Sequence, residues 1–80
     1  MDEIYTRKVA RFRKLFKIDD EAKRRTAIDD FFEGVHPEER PGLAKGLSST
    51  FADDFKQFPQ KKSEQFTTAL NGWANFDPGK

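Results

Sequence analysis

Apolar residues recur along this chain three or four positions apart and never stand more than two together. That spacing leaves one fold class open. A helix brings positions i, i+3, i+4 and i+7 to one side, whereas a strand needs strict alternation, which the sequence never sustains. Tyr5, Val9, Phe12 and Phe16 make the first stripe, and Ile28, Phe31, Phe32 and Val35, preceded by Ala27, make the second. Leu43, Leu47, Phe51, Phe55 and Phe58 make the third, and Phe66, Ala69, Leu70 and Trp73 the fourth. The expected fold is all-α: a compact bundle of about four short helices, at residues 2–17, 20–34, 41–58 and 60–75.

Local signals fix the expected ends. Asp2 and Glu3 suit the positive end of the first helix dipole, and Lys14 and Lys17 suit the negative end. Asp19 or Asp20 can cap the second helix by accepting first-turn amide hydrogens, and Gly34 can close it in the left-handed conformation. The segment from His36 to Gly42 holds two prolines and no apolar residue, so it reads as a connection, with Pro37 able to open one helical turn. Phe58 before Pro59 favours an extended bend, and Ser63 or Phe58 can cap the fourth helix. Residues 76–80 lose the helical period and read as a flexible tail after a single domain at 1–75. An apolar-Asp-Asp-Phe tetrad occurs at both 28–31 and 52–55, but four positions are too few to establish a duplication.

Eighty residues allow one domain, and such a chain buries only somewhat more than ~60% of its unfolded surface. Nine phenylalanines offset this, since each buried aromatic removes roughly 150–250 Å² from water. With 36% charged residues and no long apolar run, neither a transmembrane segment nor a signal peptide is expected, and the chain reads as cytoplasmic.

Little catalytic chemistry is on offer. There is no cysteine, hence no thiolate nucleophile and no Cys-type zinc site. His36 is the one imidazole, beside Glu33, Glu38 and Glu39, and reads as a surface capping or loop histidine. Glu33 and His36 have the Glu-x-x-His spacing of helical di-metal sites, but such sites need two copies and further carboxylates. No glycine-rich phosphate loop occurs, and Ser48-Ser49 has no base next to it in sequence. Neither enzymatic activity nor a cofactor nor a metal site is expected.

The charge, +1 in total, is segregated. From Arg7 to Arg25 nine basic residues face three acids, a net of +6; from Asp29 to Asp54 seven acids face two bases, a net of −5. Between Ile4 and Ile18 there are six basic residues and no acid. Three readings fit that helix: a solvated outer face of a core element, a phosphate binder, or a membrane-surface helix. The candidate basic surface comprises Arg7, Lys8, Arg11, Lys14, Lys23, Arg24 and Arg25. Against a helix-turn-helix, Asp19, Asp20 and Glu21 stand where phosphates would approach the second helix. Aromatics exceed the need of narrow stripes, so Phe31, Phe55, Trp73 and Phe76 form a candidate aromatic interface.

These features suit a small non-enzymatic protein-binding module, a regulator or inhibitor docked on a larger protein partner. The alternative is a nucleic-acid-binding domain using the basic first helix and the start of the second. A twofold homodimer pairing basic ends with acidic segments is also open.

Overall fold

The computed structural model describes residues 3–79, which are all-α: helices and helical turns joined by short connections, with no strand among them. The chain divides into two compact units, residues 1–34 and 35–80.

In the first unit, α1 (Glu3–Lys14) tightens at its end into a 3-10 turn (Leu15–Lys17), and α2 (Glu21–Glu33) follows. The expected start at Asp2 lies outside the described residues. Phe12, wholly buried, is the centre. Its ring meets Phe16, Phe31 and Phe32 edge to face at centroid distances of 5.9, 5.2 and 6.3 Å. Edge-to-face contact puts the positive rim of one ring on the negative face of another, which adds about 0.5–1.5 kcal/mol per pair to area burial.

Of the two possible caps for α2, the structure selects Asp20. Its Oδ1 accepts the Lys23 amide hydrogen at 3.0 Å, with Asp20 in an extended conformation. Gly34 ends the helix, but not as the sequence suggested. Its φ is −78°, and its amide still donates to the Asp30 carbonyl at 3.2 Å. The stop comes instead from Pro37, which confines His36 to an extended conformation (ψ 133°) and lacks an amide of its own.

In the second unit, Pro37 opens a 3-10 turn (Pro37–Glu39) and α3 (Arg40–Thr50), α4 (Ala52–Gln57) and α5 (Gln60–Ala74) follow. The expected third helix is therefore two. Its hydrogen-bond ladder nearly survives the break, since Phe51 donates to Leu47 and accepts from Phe55, both at 3.0 Å. The Phe51 backbone leaves the helical region (φ −104°, ψ 13°). Ser48-Ser49-Thr50 weakens the helix just before it, because hydroxyl side chains compete for backbone groups. Asp53 and Asp54 then favour a fresh N-terminus at α4. The matching Asp29 and Asp30 lie in the C-terminal half of α2, so the two tetrads sit towards opposite ends of their helices.

The apolar stripe bridges the kink: Leu43, Leu47, Phe51 and Phe55 are all buried, and with Phe66 and Leu70 of α5 they form the unit's core. Phe55 and Phe66 stack nearly parallel at 5.6 Å and 9°, and Phe58 closes the cluster at 5.9 and 6.0 Å from them. Phe58 is extended before Pro59, as the proline requires. Neither Ser63 nor Phe58 caps α5: Pro59 holds that position without a side-chain bond, and its carbonyl accepts the Ser63 amide at 2.9 Å.

Candidate binding surface on the first helix

The stripe that buries Phe12 decides what α1 offers to solvent. With Tyr5, Val9, Phe12 and Phe16 on the inward stripe, one flank beside it carries Ile4, Arg7, Lys8, Arg11 and Lys14, linked by steps of three and four residues. These five positions follow one another along about 15 Å of helix. Arg7, Arg11 and Lys14 are exposed, and Lys8 is half-buried.

Among the described residues, Arg7 alone in this row has an ion-paired acid, Glu3 at 3.2 Å. That pair is three-quarters exposed on both sides, where an ion pair contributes at most ~1 kcal/mol. Lys8, Arg11 and Lys14 make no ion pair among the described residues. Arg11 and Lys14 have a structural use as well, since cations in a last turn oppose the helix dipole by about 0.3–1 kcal/mol each. Arg7 and Lys8 stand too early in α1 for that use.

The rest of the expected basic surface does not join this row. Arg24 is corrected outright: it is buried, 6% exposed, and its guanidinium is spent on the chain itself. Nε donates to the Ile18 carbonyl at 2.9 Å and Nη2 to the Asp19 carbonyl at 3.3 Å. It sits on the inner face of α2 with Ile28, and those carbonyls need a donor once the loop folds over. Lys23 and Arg25 are exposed but two positions apart, so they leave α2 on nearly opposite sides. Asp19, Asp20 and Glu21 stand exposed beside them.

The expected aromatic interface is likewise redrawn. Phe55 is corrected: it is 5% exposed, stacked on Phe66 in the core. Phe31 is half-buried, held edge to face by Phe12 and Phe32. Trp73 and Phe76 are half-buried against each other at 5.5 Å. The Arg40 guanidinium lies over both rings, at 5.5 and 5.2 Å. Among the described residues the large apolar side chain that does stand in solvent is Ile4, 62% exposed and absent from the expected aromatic set. Its signal was available: Ile4 is one position off the Tyr5 stripe and therefore about 100° away from it.

His36 is a capping histidine, its Nδ1 accepting the Glu38 amide at 3.3 Å. Among the described residues no group of three or more His, Asp or Glu is placed to hold a metal ion. No helix among them is long and apolar enough to cross a membrane. A polar depression of about 630 Å³ lies over α3 and α5, lined by Lys45, Ser48, Thr67, Thr68, Asn71 and Asn75. Its groups do not converge: Thr67 Oγ1 donates to the Ser63 carbonyl and Asn75 Nδ2 to the Asn71 carbonyl, each within its own helix. The row on α1 is the better-defined surface.

No protein-family model, no curated protein and no solved structure matches this chain.

Proposed function

We propose that this chain is a small non-enzymatic binding module that docks on a larger protein through the outward face of α1, as a regulator or inhibitor of that partner. The observation that supports this reading is the row itself. Arg7, Lys8, Arg11 and Lys14 share one face, and three of the four have no acid to pair with among the described residues. Such a row attracts and orients an acidic surface, raising association rates that salt then suppresses.

Phosphate is the competing occupant, because the same unpaired cations would release counterions from a nucleic-acid backbone. The acids that open α2 and the divergence of Lys23 from Arg25 weigh against it, since they leave α1 without a second basic element.

Replacing Arg7, Arg11 and Lys14 together by Gln keeps helix propensity and removes three charges. Binding to poly-glutamate at low salt, followed by isothermal titration, falls at least about tenfold in this variant if the row is the binding surface. Unchanged binding sinks the reading. A thymidine oligonucleotide bound more tightly than poly-glutamate, with a steep salt slope, would favour the phosphate reading instead.

A further inference from the structure

We infer that Ile4 determines the specificity of this surface, and that the partner of α1 presents an apolar pocket ringed by carboxylates. The inference rests on the reading of α1 as the binding surface.

Ile4 is the only large apolar side chain counted as exposed among the described residues, at 62%. The core does not call on it, since Tyr5, Val9, Phe12 and Phe16 fill the inward stripe. It lies one turn before Arg7 and Lys8 and two turns before Arg11, so the four make an i, i+3, i+4, i+7 set. A helix that docks in a groove places its anchors at this spacing; here Ile4 is the one apolar member and three cations flank it. One apolar anchor with charged neighbours also follows the division of a protein interface into an apolar centre and a polar rim. The charge of the neighbours then sets the sign of the partner's rim. Carboxylates complement three cations, and like charges facing them are excluded at a cost of several kcal/mol.

A nucleic-acid backbone has no use for this residue. Phosphate affinity comes from neutralised charge and released counterions, to which an isoleucine contributes nothing. The dependence on Ile4 therefore separates a protein partner from a nucleic acid carried by the same cations.

The test uses the full chain and three probes at low salt: a helical peptide of Glu and Leu with the leucines on one face, poly-glutamate, and a thymidine oligonucleotide. Two variants are compared, Ile4→Gln and the triple Gln replacement of Arg7, Arg11 and Lys14. Circular dichroism first establishes that both keep their helix, which an exposed first-turn site permits for Ile4→Gln. The expected result is that the Glu-Leu peptide binds more tightly than poly-glutamate. Ile4→Gln should weaken the first about tenfold, the loss of one buried apolar side chain, and leave the second unchanged. If Ile4→Gln binds the Glu-Leu peptide as the unaltered chain does while the triple variant is weakened, the pocket is overturned and the cationic surface stands. If the triple variant binds every probe as the unaltered chain does, or no peptide binds at all, both fall. Preference for the oligonucleotide over either peptide overturns the protein partner.

Discussion

Arg24 in the first unit and Arg40 in the second occupy the same place relative to a helix start. Each lies four residues after a capping residue, Asp20 or His36, and each reaches back past the cap. Arg24 bonds the carbonyls of Ile18 and Asp19, while Arg40 Nε bonds the carbonyl of Val35 at 3.0 Å. In many helices the residue before the cap and the fourth helical position are joined by an apolar contact that fixes the entry angle. Here a guanidinium joins the same two places through a backbone oxygen. The environments differ. Arg24 is buried and satisfied by carbonyls, whereas Arg40 is half-buried, with the faces of Trp73 and Phe76 against its guanidinium. A buried clamp must satisfy the loop it covers. A half-buried one shares the task with water and aromatic faces.

Removing the clamps should expose this difference. Arg24→Met keeps the apolar stem and strips the donors from two carbonyls, one of them at 2.9 Å. Each hydrogen bond from a charged donor is worth about 1.5–3 kcal/mol, so we expect a loss of about 3 kcal/mol or more in urea unfolding followed by circular dichroism. Arg24→Lys should recover little, because an ammonium lacks the fork that reaches both oxygens. A loss under ~1 kcal/mol for Arg24→Met would mean that water can replace the guanidinium and that burial does not distinguish the two clamps.

Arg40→Met comes next. It removes the Nε bond to Val35 and the charge over two rings, but water can reach the site. The expected loss is about 1–2 kcal/mol, from one hydrogen bond and cation–π contacts worth ~0.5–1 kcal/mol where exposed. A cost equal to that of Arg24→Met would erase the distinction.

The caps give the smallest effects. Asp20 holds its amide at 3.0 Å with a carboxylate at the positive end of a helix of 13 residues. His36 holds its amide at 3.3 Å through a ring nitrogen, ahead of a 3-10 turn of three residues. Asp20→Ala should cost about 1 kcal/mol and His36→Ala a fraction of that, and His36→Asn should lose nothing measurable. Equal costs would show that the 3-10 turn depends on its cap as much as α2 does.

The clamps also explain where the sequence was legible. Helical periodicity located every apolar stripe, because burial on one face is what the 3.6-residue repeat records, and residues such as Phe12, Phe32, Leu47 and Phe66 are buried accordingly. The kink at Phe51 was not legible, since the stripe and the hydrogen-bond ladder both run through it while the backbone of that one residue departs. Arg24 was misread because a Lys-Arg-Arg run looks solvated, and only the folded loop at Ile18 and Asp19 provides carbonyls to hold its middle member. Of the candidate surface, Arg7, Lys8, Arg11 and Lys14 were identifiable from their charge. Ile4 is silent in any list of aromatics, and its exposure follows only once Tyr5 is known to face inward.

The Trp73 ring beside Arg40 has one more consequence. The chain has a single tryptophan and a single tyrosine, and they fall in different units: Trp73 in the second, Tyr5 on α1 in the first. Each unit thus carries its own chromophore. Emission excited beyond the tyrosine band reports on α5 and its surroundings alone, and in a Trp73→Phe variant the phenol signal, freed of indole overlap, reports on α1. Melting curves recorded at the two wavelengths coincide if the units unfold as one cooperative body and part company if they do not.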